Sequence, residues 1–181
     1  MINFCVLNYS KLNDEEIEGC ISNFIKYLKE QGIKNNIKIE HSGESLKSRF
    51  QKFIDDDKDC VLFENPHFEL EVNRYLGEIS NYINIQNYKF IFIGERLNTQ
   101  NEWGEANEWI AVIRNLEEKV IWHEIAHILG ARDHYNSDTH ETLDICSDPS
   151  HCIMTFGKIK GELCSESIRE IREKMSVYNQ S

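Results

Sequence analysis

Apolar residues recur along the chain at two spacings, which predict strands and helices in alternation. Short apolar runs predict strands at 2–7, 37–40, 60–63, 88–93 and 110–113. Apolar positions three and four residues apart predict amphipathic helices at 13–31, 46–54 and 71–83, and one more that follows Asn115. Strands in alternation with helices are typical of an α/β protein with a twisted, mostly parallel sheet.

Capping signals support two of these helices. Asn13 with Glu16 three residues later forms a capping box, and Asn115 with Glu118 repeats the pattern before the last helix. Gly130 can adopt the left-handed conformation that ends a helix and turns the chain back. We expect one domain over 1–181, with an N-terminal α/β lobe (1–130) and a small, loop-rich C-terminal lobe (131–181).

The last predicted helix carries residues suited to a metal site. Positions 123–134 read H-E-x-x-H-x-x-G-x-x-D-H. Because residues four apart lie on one face of a helix, the imidazoles of His123 and His127 can bind one metal ion. Glu124 follows the first of these ligands, where its carboxylate can reach a water molecule at the metal.

The turn after Gly130 returns two further candidate ligands to the same neighbourhood. Asp133 offers an oxygen and His134 a nitrogen, and a catalytic zinc site needs three protein ligands. We expect His123, His127 and Asp133 to bind the zinc in the cleft between the lobes. His134 is the reserve third ligand, one residue along the same turn.

The balance of charge excludes some classes of partner. The chain has 31 acidic and 20 basic residues, a net charge of −11, which argues against binding to nucleic acid or anionic membranes. It has no apolar stretch of about 18 residues that would span a bilayer. Its first residues lack the basic and apolar regions of a signal peptide, so we expect a cytoplasmic location. A secreted protein that has lost its leader is the alternative.

The extended motif resembles that of the metzincins, a clan of zinc endopeptidases. Cys152-Ile153-Met154 is placed like the Met-turn of that clan, whose methionine packs beneath the metal. Trp103-Gly104-Glu105-Ala106, Ile110-Ala111-Val112-Ile113 and Glu162-Leu163-Cys164 resemble segments of the archaemetzincins. Most of the clan has histidine at the position of Asp133, and Asp133-His134-Tyr135 looks instead like the ligand segment of the snapalysin-type members.

The resemblance to archaemetzincins also implies a second zinc site, which those proteins build from four cysteines. Here Cys146, Cys152 and Cys164 follow the motif, and the fourth ligand would be His151 or His140. A disulfide among the three cysteines, as in reprolysin-like members, and free thiols are the other two interpretations. We expect the second zinc, in a structural role.

The resemblance implies a peptidase, either an endopeptidase or an aminopeptidase, acting on a peptide or protein substrate. Glu124 would then be the general base, and Tyr135 would be an oxyanion donor by resemblance to snapalysins or else an ordinary loop tyrosine. Residues 104–107 would form the edge strand on which the peptide lies. A catalytically inactive metal-binding interaction module and a non-peptidase zinc hydrolase on the same scaffold are the alternatives.

Overall fold

The computed structural model describes residues 1–34, 36–56, 65–82, 84–94, 104–156 and 161–178. The strands are β1 (Ile2–Asn8), β2 (Ile37–His41), β3 (Tyr88–Ile93), β4 (Gly104–Ala106) and β5 (Ile110–Ile113). The helices are α1 (Asp14–Glu30), α2 (Glu44–Asp56), α3 (Pro66–Ile79), α4 (Glu118–Ile128) and α5 (Ser165–Tyr178). The strand predicted at 60–63 lies outside the described residues.

The five strands form one sheet in the order β2-β1-β3-β5-β4. Neighbouring strands from β2 to β5 run parallel, and β4 pairs antiparallel with β5 at the end of the sheet. Parallel neighbours need crossover connections, which the intervening helices supply. The predicted α/β class with a mostly parallel sheet is therefore confirmed.

Successive side chains of the central strand, β3, point to opposite faces of the sheet, so there is a core on each face. Phe90 and Phe92 of β3 face α2 and α3, where the ring of Phe50 packs edge-on against Phe92 with centroids 5.2 Å apart. Ile91 and Ile93 face the opposite way, toward α1 and α4. Since successive residues of a strand point to opposite faces, both faces of the sheet are buried under helices.

The capping box of Asn13 and Glu16 is present, because each side chain accepts a hydrogen bond from the other residue's backbone N–H. The same prediction for Asn115 and Glu118 is wrong. Helix α4 begins at Glu118, and Glu117 rather than Asn115 occupies the cap position, with no side-chain cap. The side chain of Asn115 accepts from the Glu117 N–H instead, so it stabilises the turn before the helix.

The third helix begins earlier than predicted. It spans Pro66–Ile79 rather than 71–83, because Asn65 caps it by accepting from the His67 N–H and Pro66 occupies its first turn. This start brings Phe68 into the core beneath the sheet, where it is fully buried.

The C-terminal part of the chain shares the core of the N-terminal part. Ile168, Ile171 and Met175 of α5 belong to the same buried cluster as Ile121 and Ile125 of α4. The segment from Ala131 to Cys164 consists of turns and isolated bridges in its described residues, and its attachment to this core fixes it beside α4. Among the described residues, no helix combines the length and the apolar character needed to cross a membrane.

Two candidate metal centres

Helix α4 places His123 and His127 on one face, with their rings 4.7 Å apart. The Nδ1 atom of His123 lies 2.7 Å from the carbonyl oxygen of Ile153, and that of His127 lies 2.9 Å from the carbonyl of Ala131. A carbonyl can only accept, so each ring donates through Nδ1 and presents Nε2 to its neighbour. The backbone thus selects the tautomer in which both Nε2 atoms can bind a metal.

The turn at Gly130 directs Asp133 at these two atoms. Gly130 has φ +107°, and a side chain there would also meet the Cβ atom of Lys174 at 2.8 Å, so the position requires glycine. Beyond the turn, the Oδ1 atom of Asp133 lies 3.5 Å from Nε2 of His123 and 3.4 Å from Nε2 of His127. We call His123, His127 and Asp133 the first cluster.

The distances within the first cluster fit a zinc ion. The two Nε2 atoms are 3.1 Å apart. Zinc with ligands at about 2.0–2.1 Å in a tetrahedron separates them by about 3.3–3.4 Å, close to all three distances. Oδ1 of Asp133 is buried and makes no hydrogen bond, which is costly for a carboxylate oxygen unless a cation is bound there. The predicted ligands His123, His127 and Asp133 therefore converge on one point, and His134 does not join them.

Burial and the charges of neighbouring groups shift the pKa values of the three residues of the first cluster in different directions. Burial, and then the charge of His127, lower the pKa of His123. Burial alone would lower the pKa of His127, but Asp133 and Glu124 outweigh it and raise that pKa. Burial raises the pKa of Asp133, but the neighbouring His127 and a hydrogen bond from Tyr135 lower it overall.

Glu124 lies against the edge strand of the sheet. Burial raises the pKa of its carboxyl to about 8. A side chain at Gly104 of β4 would overlap it, since a Cβ atom there would lie 2.6 Å from both Cγ and Oε1 of Glu124. The buried guanidinium of Arg114 pairs with Glu105 of the same strand. Gly104 is a residue that the sequence did not single out as critical for the position of Glu124.

A second cluster lies immediately beyond the first. His134, Cys146, Cys152 and Cys164 are all buried, and one ligand atom of each lies within 4.8 Å of all the others. The cysteines are free thiols, so the disulfide interpretation does not describe this structure. We call these four residues the second cluster.

The second cluster also has the dimensions of a tetrahedral zinc site. Nδ1 of His134 lies 3.4 Å from Sγ of Cys164 and 3.8 Å from Sγ of Cys152, and Sγ of Cys146 lies 3.9 Å from Sγ of Cys164. Zinc with sulfur at about 2.3 Å and nitrogen at about 2.0 Å separates sulfur pairs by about 3.8 Å and sulfur from nitrogen by about 3.5 Å. The cluster could therefore bind a metal ion.

Glu170 of α5 lies near the histidine of the second cluster. Its Oε2 atom lies 3.7 Å from Nε2 of His134, which is buried and has no hydrogen-bond partner of its own. The Glu170 carboxylate also accepts hydrogen bonds from the backbone N–H and the side chain of Arg132. A carboxylate behind a ligating imidazole fixes the ring and raises its basicity.

One thiol of the second cluster is polarised toward the thiolate. Burial alone would raise the pKa of Cys164, but hydrogen bonds from the backbone and hydroxyl of Ser167 lower it to about 6. Burial raises the pKa of Cys146 to about 12. A thiolate is the form that binds metal, so the lowered pKa of Cys164 favours the form that would bind a cation.

The remaining predicted ligands lie outside both clusters. The structure does not place His134 with the first cluster, where it was the predicted reserve ligand, and its imidazole lies in the second cluster. The exposed ring of His151 contacts Asp148 and Ser150, and His140 stacks on Phe156, so neither completes the cysteine set. The signal that could have identified His134 is its adjacency to Asp133, because neighbours in an extended segment point to opposite sides.

Tyr135 and Met154 lie close to the first cluster. A hydrogen bond from Tyr135 contributes to the lowered pKa of Asp133, so the Tyr135 hydroxyl lies next to that carboxylate. Met154 is fully buried, and its carbonyl accepts from the His134 N–H, so it ties the segment 152–154 to the ligand turn.

No protein-family model matches the sequence. No curated protein matches it either.

Proposed function

We propose that this protein is a zinc-dependent peptidase that hydrolyses peptide bonds at the first cluster. One observation carries the proposal: two Nε2 atoms and one orphaned carboxylate oxygen converge at 3.1–3.5 Å, with a buried carboxyl, Glu124, next to them. A purely structural site has no need of that carboxyl. The resemblance of the motif to that of the metzincins supports the same assignment.

The residues of the first cluster suit hydrolysis. Zinc bound there supplies Lewis acidity, which acidifies water to a pKa of about 7 and polarises a carbonyl group. A zinc ion at the first cluster would lower the raised pKa of Glu124 and so favour its carboxylate. That carboxylate accepts a proton as water adds to the carbonyl carbon, and returns it to the amine nitrogen as the carbon–nitrogen bond breaks. The Tyr135 hydroxyl has one proton, so it can donate to the oxygen that gains charge once it releases Asp133.

Strand β4 is the candidate platform for the peptide. It ends the sheet, and among the described residues it pairs with β5 alone. An extended peptide can add to such an edge through main-chain hydrogen bonds. Because Gly104 touches Glu124, a peptide on this edge would pass close to the catalytic carboxyl.

The second cluster supports a structural zinc in the same proposal. Three sulfurs and one imidazole form a closed set typical of structural zinc, with no open position for a substrate. A zinc there would hold the ligand turn, the segment 152–154 and the start of α5 together. The protein would then bind two zinc ions per chain, one catalytic and one structural.

The experiment is cleavage of a peptide library by zinc-loaded protein, with and without a chelator, and with Glu124→Gln as the matched variant. Wild-type protein should cleave peptides, the chelator should abolish cleavage, and Glu124→Gln should lose at least about 100-fold while it keeps its zinc. Zinc binding without cleavage would instead support the inactive interaction module. Cleavage by Glu124→Gln at the wild-type rate would exclude this mechanism.

A further inference from the structure

The C-terminal helix α5 lies against the turn 130–134, which carries Asp133. A side chain at Gly130 would meet the Cβ atom of Lys174 of α5 at 2.8 Å. One helical turn earlier, Glu170 of α5 is buried, with 7% of it exposed, and its carboxylate is hydrogen-bonded to the same turn. Glu170 is therefore a buried charge beside the candidate third ligand, and the proposed hydrolysis makes no use of it.

Glu170 binds the residue that directly precedes Asp133. Its Oε2 atom accepts a hydrogen bond from the Arg132 backbone N–H at 2.9 Å, and its Oε1 atom accepts from Nε of the same residue at 2.6 Å. Hydrogen bonds to an ionised carboxylate are stronger than those between neutral groups. The Arg132 side chain is 64% exposed, and exposed ion pairs contribute little, so the bond to the backbone N–H is the contact that fixes the turn.

Backbone hydrogen bonds hold the turn on both sides of this contact. The Ala131 N–H donates to the Ala126 carbonyl at 2.9 Å, and the His134 N–H donates to the Met154 carbonyl at 2.8 Å. The bond to Glu170 lies between them, next to the candidate third ligand. Of these three bonds it is the one that a side chain makes, so a substitution can remove it and leave the other two in place.

We infer that Glu170 is a positioning residue for the first cluster: it holds the Arg132 peptide group and so directs the Asp133 carboxylate at the two imidazoles. This inference rests on the zinc that the proposed function puts at the first cluster, and not on peptide hydrolysis. Loss of a residue that orients a metal ligand weakens metal binding 10–100-fold in general. We expect about tenfold here, because Glu170 acts on Asp133 through the backbone.

The experiment measures binding of cobalt(II), as a substitute for zinc, to Glu170→Met. Methionine keeps the length of glutamate and suits a helix, but its sulfur is a weak acceptor. Cobalt bound to thiolates has charge-transfer absorption that cobalt bound to nitrogen and oxygen lacks, so the spectrum distinguishes the two clusters. With the second cluster filled, the first should bind cobalt about tenfold more weakly than in the wild type. Its cobalt absorption bands should also shift, because Asp133 is displaced.

Three further variants separate the position of the turn from stability. Arg132→Ala breaks the same ion pair but keeps the backbone N–H, so its first cluster should bind cobalt with wild-type affinity. Glu170→Gln keeps an acceptor oxygen for that N–H and should recover most of the affinity. Glu173→Met, at an exposed glutamate of α5 that pairs with Arg169, is the matched control and should bind as the wild type does. Glu170→Ala replaces Glu170→Met if the latter does not fold.

Three results would overturn the positioning role. The first is wild-type affinity in Glu170→Met. The second is an equal loss in Arg132→Ala, which would assign the effect to the ion pair. The third is a loss that appears only while the second cluster is empty, which would assign it to His134, 3.7 Å from Glu170.

The proposed function fails by different results. A wild type whose first cluster binds neither cobalt nor zinc would overturn the proposed function and the positioning role together. Metal binding with the expected loss in Glu170→Met, but without cleavage of any peptide by the zinc-loaded wild type, would overturn the peptidase and support the positioning role.

Discussion

Asp133 and His134 are adjacent in the chain, yet their side chains belong to different clusters. Oδ1 of Asp133 lies 3.4 Å from Nε2 of His127, whereas Nδ1 of His134 lies 3.4 Å from Sγ of Cys164. A single peptide unit therefore joins the two candidate metal centres. Anything that displaces one of these side chains moves the backbone of the other, so we expect the two sites to be energetically coupled.

The first prediction concerns His134→Ala. It should remove the metal of the second cluster and lower the melting temperature by about 5–10 °C, because a closed thiolate site contributes directly to folding. It should also weaken zinc binding by the first cluster, since a metal at the second cluster would no longer anchor the turn that carries Asp133. Metal analysis and calorimetry measure both effects. Cys20→Ser, at a free thiol in α1, is the control, and a His134→Ala protein with two zinc ions would refute the assignment.

The second prediction concerns Asp133→Ala. It should leave one zinc per chain, bound to sulfur, because it removes a ligand of the first cluster and none of the second. X-ray absorption should then show sulfur neighbours at about 2.3 Å. Asp144→Ala, at an exposed aspartate, should keep both ions. The contrary result is that Asp133→Ala retains both ions and His134→Ala loses the ion of the first cluster. His134, and not Asp133, would then be the third ligand of the first cluster.

The third prediction concerns Gly104→Ala. The added methyl group would overlap the Glu124 side chain, so the carboxyl must shift. Peptide cleavage should fall by about 10²-fold, since a misplacement of about 1 Å has that effect, and zinc content should not change. Gly19→Ala is the control, because its Cβ meets nothing within 4 Å in helix α1. It should raise the free energy of unfolding by up to about 1 kcal/mol and leave activity alone.

The fourth prediction concerns Lys89, which is fully buried on β3. Its ammonium donates to the Glu108 carbonyl and to the Tyr178 hydroxyl, both at 3.0 Å, and lies over the ring of Trp109. Burial lowers its pKa from 10.5 to about 8. Between these values the unfolded chain binds more protons than the folded one, so this lysine makes the free energy of unfolding rise with pH.

The measurement for Lys89 is chemical denaturation of the wild type and Lys89→Met from pH 7 to 9. The free energy of unfolding of the wild type, relative to the variant, should increase by about 1 kcal/mol over this range. Lys26→Met, at an exposed lysine, controls for the loss of one positive charge. A relative stability that falls with pH would show that the ammonium is stabilised by its surroundings rather than destabilised by burial.

The sequence identified those features that depend on near neighbours in the chain. His123 and His127 lie on the same face of α4 because they are four residues apart in a helix. Asn13 and Glu16 form a capping box because they are three residues apart at the start of α1. The strands at 88–93 and 110–113 follow from continuous apolar runs, which a parallel sheet buries on both faces. The start of α4 was misplaced because an asparagine near a helix can form a turn as readily as a cap.

The tertiary structure decided how the ligands are divided between the two sites. The sulfur partners of His134 lie 18 and 30 residues away at Cys152 and Cys164, and no local pattern indicates that these three residues meet. The same holds for Gly104, whose contact with Glu124 comes from the packing of the edge strand on α4. Side-chain direction after a turn depends on what the backbone pairs with, and here the pairing of His134 with Met154 points Asp133 toward one cluster and His134 toward the other.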